Sequence, residues 1–260
     1  MRFRIFITSV IGFFVTMLSS CLDNEPYPAL YPTMGTVTDL TSYTINSDSY
    51  GILVPKNPDI IKFNDADSIG QRVLINVIFD EGNEKEKVSA KEVNIYELFK
   101  VLTKKANDLR TETQEDINDF GDAPIQIIPY ETGAYISEEH LNLEFYINGH
   151  DKNIPHRISL LLTDETELDD EGLLRVELRH NNYSDFGNTT FWGIASFTLS
   201  SIPEYTDPDF KGFRIIYKNS DNSYSELKVL KPSDKNSLSR GMKTSEEVGY
   251  RHSLLSCELK

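Results

Sequence analysis

The second half of the chain shows a strict alternation of apolar and polar residues, and this pattern constrains the fold most. In residues 141–148, for example, every second residue is Leu, Phe or Ile. The same two-residue period recurs, between turn-forming residues, in residues 156–163, 173–180 and 191–199. Successive side chains of a strand point to opposite faces, so each segment has one face for a core and one for solvent. The pattern predicts an antiparallel β-sandwich over residues 124–232.

Shorter extended segments fill the first half of the chain. Residues 71–79 again alternate, and a cluster of turn residues at 46–48 separates two other apolar segments. Farther on, apolar residues are spaced three and four apart, which predicts a short helical stretch. This stretch contains Ile95, Leu98, Phe99 and Leu102. Short strands with one helical turn predict a small OB-like barrel over residues 33–116, so the whole chain is expected to be all-β.

The segments outside these two domains are polar or rich in proline. Residues 21–32 contain three prolines, which no helix or central strand tolerates, and are predicted to be a spacer. Residues 117–123 are predicted to link the barrel to the sandwich. Residues 233–260 have no sustained period and are predicted to form a disordered tail.

The N-terminus has the features of a lipoprotein signal peptide. Arg2 and Arg4 precede a short apolar stretch, which ends in Leu18-Ser19-Ser20-Cys21. The apolar stretch is too short for a spanning helix, which needs about 20 residues. Cleavage after residue 20 would leave Cys21 as the lipid attachment site. We therefore expect an outer-membrane lipoprotein, anchored through its lipid and lying on the cell surface or the periplasmic face.

Composition limits the other partners. The formal net charge is −15, and loss of Arg2 and Arg4 with the signal makes it −17. Because so acidic a protein repels phosphate backbones, no nucleic-acid partner is expected. Cys257 is the only cysteine besides Cys21, which excludes an internal disulfide in the processed chain. No cofactor motif is present, so none is expected.

Seven short segments resemble a known family, and they occur in the order that the family shows. They are GTV at 35–37, SDSYGIL at 47–53, LTKK at 102–105, LNLEF at 141–145, HRISL at 156–160, LRHN at 178–181 and ASFTL at 195–199. Together they resemble the NigD-like lipoproteins of Gram-negative bacteria. The resemblance implies an N-terminal OB-type domain and a C-terminal β-sandwich. It also implies a bacteriocin-immunity role, which no catalytic motif accompanies.

Two histidines lie at the ends of predicted strands and on their inward faces. His156 shares its face with Ile158, and His180 shares its face with Leu178. If the strands pair, the two imidazoles approach each other. Asp185 or Glu144 would be the third ligand of a metal site, but hydrogen-bonded imidazoles that close one end of the sandwich need no further ligand. We favour the hydrogen-bonded pair and expect no metal.

Other polar and aromatic residues are candidates for ligand contact. Arg157 and Arg179 lie on the wet strand faces, where arginines either clamp an anion or pair with carboxylates across strands. Trp192, Tyr146 and Tyr183 could form an exposed aromatic platform for a glycan. We expect a non-enzymatic binding module for a glycan, a peptide or another envelope protein. An immunity protein against a toxin is the alternative, and a hydrolase ranks last because no nucleophile motif is present.

Overall fold

A computed structural model describes residues 28–80, 89–111, 116–128, 133–232 and 259–260. The signal sequence, Cys21 and the spacer up to residue 27 lie outside the described residues. Residues 233–258, most of the predicted tail, do so as well. The described chain is all-β, as predicted, with a closed barrel followed by a β-sandwich.

Five strands close the N-terminal barrel in the order β1-β2-β3-β5-β4. They are β1 (Tyr31–Val37), β2 (Ile45–Ser47), β3 (Gly51–Pro55), β4 (Arg72–Phe79) and β5 (Ala90–Lys100). A short helix, α1 (Asp59–Phe63), connects β3 to β4 and buries Ile61 in the barrel core. Strands β3 and β5 pair in parallel, and the other pairs are antiparallel. Because β1 begins at Tyr31, the last two residues of the predicted spacer belong to the barrel.

The predicted helical stretch near residue 95 is a strand instead. The register of β4 against β5 shifts between Asn76 and Val77, so that Tyr96 and Glu97 together oppose Asn76. This β-bulge adds one residue between the inward-facing Ile95 and Leu98. Their spacing of three therefore comes from a bulged strand, and the prediction of a helix was wrong.

Two five-stranded sheets form the sandwich. The first contains β6 (Leu102–Lys105), β8 (Gln126–Ile127), β9 (Ala134–Ile136), β10 (His140–Gly149) and β13 (Thr189–Thr198). The second contains β7 (Asn107–Asp108), β11 (Arg157–Leu162), β12 (Leu173–Asn181), β14 (Gly212–Lys218) and β15 (Tyr224–Leu230). Three pairs, β6–β13, β7–β11 and β12–β14, are parallel, so the sandwich is mixed and not purely antiparallel as expected.

Strands β6 and β7 lie before the linker that the sequence suggested. Each joins a sandwich sheet, β6 alongside β13 and β7 alongside β11. By strand pairing the barrel therefore ends near Lys100, and the sandwich begins at Leu102. Both strands are very short, and their partners lie far along the chain, so no local pattern marks them.

The barrel packs against the outer face of β10 and β13. The contact contains Met34 and Leu74 from the barrel and Trp192 and Ile194 from β13. At its centre, Arg72 is 1% exposed and donates to both carboxylate oxygens of Asp48, at 2.8 and 2.5 Å. Strand β10 is consequently buried on both faces.

The last two residues of the chain are ordered against the sandwich, unlike the disordered tail predicted for them. Leu259 forms a parallel bridge with His156, and its side chain packs against the sandwich core. The main chain of Lys260 exchanges hydrogen bonds with His156 and Ile158.

Candidate functional site

The structure brings His156 and His180 together at one end of the sandwich. Nδ1 of His156 lies 2.8 Å from Nε2 of His180, and both rings are at most 1% exposed. The chain of contacts continues in both directions. Nε2 of His156 lies 3.2 Å from Oδ2 of Asp185, and Nδ1 of His180 lies 2.8 Å from the carbonyl oxygen of Pro124. We call these three side chains and the Pro124 carbonyl the histidine chain.

The Pro124 carbonyl sets the direction of the hydrogen bonds at one end of the histidine chain, because it can only accept. The Nδ1–H of His180 therefore donates to Pro124. Nε2 of the neutral His180 ring then accepts from Nδ1 of His156.

The same distances do not suit a metal held between the two rings. Zinc binds imidazole nitrogen at about 2.0–2.1 Å and takes three or four ligands, whereas these nitrogens share a hydrogen bond. Within the part of the chain that the structure describes, no group of three His, Cys, Asp or Glu residues could hold a metal. Glu144 lies on the opposite face of β10 and accepts a 2.6 Å hydrogen bond from Trp192.

Burial and hydrogen bonding shift the ionisation of this site. Burial lowers the pKa of His180 to about 4, so its ring is neutral at pH 7. Burial alone would raise the pKa of Asp185, but hydrogen bonds from the His150 amide, His156 and the Asp151 amide outweigh that effect and lower it. Asp185 thus stays an acceptor that ties the turn after β10 to the loop after β12.

A groove of about 780 Å³ opens beside the histidine chain. His180, Asp185 and Tyr146 are among its lining residues. The charged side chains of Asp122 and Lys218 also line it, and about half of the remaining lining is uncharged and polar. It includes Gln126, Asn148, Asn182, Asn188, Thr190, Ser220 and Asn222. Among its large apolar residues, Ile125 and Ile147 are buried, whereas Phe186 is 79% exposed.

The loop that carries Phe186 is held by its own polar groups. The Asn181 and Asn182 side chains accept hydrogen bonds from the amides of Tyr183 and Ser184. Both of these residues have positive φ, 48° and 64°, a conformation that side-chain turns of this kind support. Asp185 then anchors the loop to the turn after β10, so Phe186 is presented from a braced loop.

Trp192, Tyr146 and Tyr183 do not form the exposed aromatic platform that was expected from the sequence. Trp192 is only 6% exposed, because the barrel covers the strand face that alternation placed in solvent. Tyr146 is half-buried between the barrel contact and the groove. Tyr183 is 43% exposed, and the ammonium group of Lys260 lies 4.1 Å from its ring centre.

The two candidate arginines have partners within the protein. Arg179 pairs with Glu177 of its own strand at 2.6 Å and with Asp122 at 3.1 Å. The Arg157 guanidinium lies over the ring of Phe120, 4.1 Å from its centre. Arg179 therefore pairs with carboxylates, which was the alternative to clamping an anion. The pairing is not across strands, because Glu177 lies on the same strand and Asp122 on a preceding loop.

Sequence reasoning missed the groove itself. Its lining comes mainly from the end of β10, the loop after β12 and the turn before β15, together with the segment before β8. Asparagine-rich turns at 181–188 and 219–222 are visible in the sequence. Only the strand order places them at the same end of the sandwich. In the described residues, no helix is long and apolar enough to cross a membrane.

Several solved structures share this fold. A protein of unknown function from Bacteroides vulgatus, 18% identical, covers 87% of this chain and 100% of its own length with a TM-score of 0.64. A provisionally named toxin-related protein from Parabacteroides distasonis is 24% identical, covers 82% of this chain and 100% of its own, and has a TM-score of 0.58. A provisionally named lipoprotein from Bacteroides fragilis is 13% identical, with coverages of 79% and 100% and a TM-score of 0.54.

At these identities the structural likeness shows the fold alone. No curated protein matches the chain in sequence. The family model of the NigD-like C-terminal beta sandwich domain matches residues 108–229, which span β7 to β15 except the first residue of β7 and the last residue of β15. The sandwich of this chain is therefore a NigD-like C-terminal β-sandwich domain.

Proposed function

We propose that this protein is a non-enzymatic binding module of the bacterial envelope and that its groove holds a neutral glycan. The observation that carries the proposal is the exposed ring of Phe186 at a groove whose lining contains seven amide and hydroxyl side chains besides Tyr146. Such groups exchange hydrogen bonds with sugar hydroxyls, and an aromatic ring packs against the apolar face of a sugar. Loop bracing by Asp185 reduces the ordering cost of binding.

The chemistry of the histidine chain supports a role in binding over one in hydrolysis. A catalytic histidine passes its proton to or from a nucleophile or a substrate atom. Here the described contacts run from a carboxylate through two rings to a backbone carbonyl, and none reaches a nucleophile. In this proposal the histidine chain forms part of the groove lining.

Binding of soluble neutral oligosaccharides, first on an array and then by calorimetry, tests the glycan proposal. Phe186→Ala and Asn188→Ala should each weaken binding at least tenfold. Phe63→Ala is the matched control, because Phe63 is 85% exposed but lies on the barrel helix α1. If no oligosaccharide in the set binds the wild-type protein, or if the Phe186 and Phe63 variants bind equally, the proposal fails.

The anchoring part of the proposal rests on the lipoprotein signal ending at Cys21. Acylation there would attach the protein to the outer membrane, on the cell surface or the periplasmic face. Radioactive palmitate should label the wild-type protein, and Cys21→Ser should remain unlabelled and unprocessed. Cys257→Ser is the control and should label normally; labelling that depends on Cys257 instead would contradict the proposal.

A second function is favoured by charge. A body with a net charge of about −17 after processing attracts cationic peptides over long distances. An immunity role would use this attraction to sequester a cationic toxin. Deleting the gene should then sensitise cells to a peptide toxin of a neighbouring strain, and unchanged killing curves would remove this alternative.

A further inference from the structure

The edge of β11 is only partly covered by its neighbour in the sheet. Strand β7 pairs with β11 at Leu161 and Leu162, which leaves the N-terminal half of this edge uncovered by β7. Leu259 and Lys260 lie on that half. The Lys260 amide donates to the His156 carbonyl at 2.9 Å, and the Ile158 amide donates to the Lys260 carbonyl at 3.0 Å. The chain's own last residues thus add a short parallel strand to the sheet.

The side chain of Leu259 lies next to Gly193, at a position that we call the Leu259 seat, and it fits there only because Gly193 has no side chain. A Cβ atom at Gly193 would lie 2.9 Å from Cδ1 of Leu259 and 2.9 Å from the Phe145 ring, too close for either contact. A cavity of about 780 Å³ adjoins this seat, and Phe99, Trp192 and Ile194 are part of its lining. The seat therefore suits an aliphatic side chain.

The next residue is recognised by a different group. The Lys260 ammonium lies 4.1 Å from the centre of the Tyr183 ring, which is a cation–π contact. Tyr183 belongs to the loop after β12, whereas the Leu259 seat lies on β13. Strand β13 thus contacts the side chain of Leu259, and the loop after β12 contacts that of Lys260. Strand β11 binds the main chain.

We propose that the β11 edge from His156 to Ile158 is a strand-acceptor site for an extended peptide with a leucine followed by a lysine. Leu259–Lys260 is its occupant within the same chain. Main-chain hydrogen bonds supply affinity, and the two side-chain contacts supply specificity, as in other cases of β-strand addition. Because the tethered occupant has a high local concentration, a free peptide binds well only after that occupant is weakened.

A trans-binding experiment on the full chain tests this site. The probe is a fluorescent synthetic peptide with the sequence of residues 253–260, carrying Cys257→Ser to avoid thiol chemistry. Fluorescence anisotropy should show saturable binding to the Leu259→Asp protein and at least tenfold weaker binding to the wild-type protein. A peptide that itself carries Leu259→Asp should bind at least tenfold more weakly than the unaltered probe.

Two controls make the result decisive. Tyr183→Ala, combined with Leu259→Asp, should weaken the probe at least threefold through loss of the cation–π contact, and circular dichroism should show an unchanged fold. If Leu259→Asp does not fold, Leu259→Ala replaces it. Absence of saturable binding to the opened variant, or equal binding to the wild type, would overturn the proposal.

Hydrogen exchange on the wild-type protein gives an independent measurement. The amides of Ile158 and Lys260 should exchange at least a hundredfold more slowly than in an unstructured peptide. Rapid exchange of both would also overturn the proposal. Neither result depends on glycan binding in the groove, so the two proposals fail separately.

Discussion

Gly149 is the residue on which the histidine chain depends most directly. A Cβ atom there would lie 2.4 Å from Oδ2 of Asp185, 2.8 Å from the Phe191 ring and 3.1 Å from Cε1 of His156. No side chain can be added without moving the carboxylate away from His156. This glycine is required by the close approach of neighbours and not by its backbone angles.

Gly149→Ala should lower the free energy of unfolding by about 2–4 kcal/mol, because it overpacks the site and separates Asp185 from its donors. Urea denaturation measures the change. Asn148→Ala is the control, since Asn148 is exposed and its substitution should cost less than about 0.5 kcal/mol. Equal stability of the two variants would contradict the assigned packing.

Two of the three buried histidines, His140 and His180, should make stability depend on acid pH. Burial lowers the pKa of both His140 and His180 to about 4; near His140, Arg72 lowers it further and Asp48 opposes the shift. Between about pH 6.5 and 4 the unfolded chain takes up protons that the folded chain does not. Stability should therefore fall as the pH falls through this range, by about 2 kcal/mol per histidine at pH 5.

Urea denaturation at pH 7.5 and pH 5 measures this loss. His140→Leu should remove about half of the difference between the two pH values, because the remaining effect belongs to His180. His150→Gln, at an exposed position, is the control and should leave the difference unchanged. A wild-type protein that is equally stable at both pH values would refute the neutral state of the His140 and His180 rings.

At the scale of elements, the bulge in β5 decides which residues face the barrel core. Tyr96 is the extra residue, and it is 63% exposed. Its deletion restores ordinary alternation and keeps both Ile95 and Leu98 inward. Deletion of Asn94 instead changes the parity of the strand and turns Val93 outward.

The Asn94 deletion should therefore cost at least about 2 kcal/mol more than the Tyr96 deletion. Thermal or urea denaturation of the two single-residue deletions measures this difference. They are matched in length and lie two positions apart in the same strand. If the Tyr96 deletion is the more damaging one, the assigned register of β4 against β5 is incorrect.

Long alternating strands could be predicted from the sequence, whereas short strands and irregular ones could not. Residues 141–148 and 173–180 predicted β10 and β12 closely, because apolar and polar side chains alternate between the two faces of each strand, although the barrel covers the polar face of β10. The bulge in β5 produced a spacing of three that imitates a helix. The wet face of β13 was predicted wrongly, since only the folded barrel reveals what covers Trp192.

The candidate site was predictable to a similar extent. Alternation placed His156 and His180 on inward faces, and pairing of β11 with β12 brings them together. The Pro124 carbonyl and Phe186 had no such signal, because their positions depend on loops. Asp185 could be named as a neighbour, but its two backbone donors could not.

At the scale of the whole molecule, a buried ion pair joins the two domains. Arg72 of β4 donates to Asp48 of the barrel and to Asn142 of the sandwich, and Tyr135 donates to Asp48 at 2.8 Å. A buried charge that loses its partner is strongly destabilising. The barrel and the sandwich should consequently unfold in one transition.

Asp48→Asn should lower the free energy of unfolding by about 3–5 kcal/mol, because Arg72 is left buried without its countercharge. Calorimetry should show one transition for the wild type and either an earlier or a split transition for the variant. Asp80→Asn is the control; it breaks the exposed pair with Lys56 and should cost at most about 1 kcal/mol. Two well-separated wild-type transitions would contradict the coupling.

The two short strands that follow the barrel give the molecule an order of assembly. The partner of β6 lies about 90 residues farther along the chain, and the partner of β7 lies about 50 residues farther. If the N-terminal part of the chain folds first, the barrel can close while both strands are still unpaired. Until β13 and β11 have formed, the unpaired main-chain groups of residues 102–108 can form hydrogen bonds with other chains and promote aggregation. A partly folded chain would thus benefit from a chaperone that binds its middle segment after the barrel has closed.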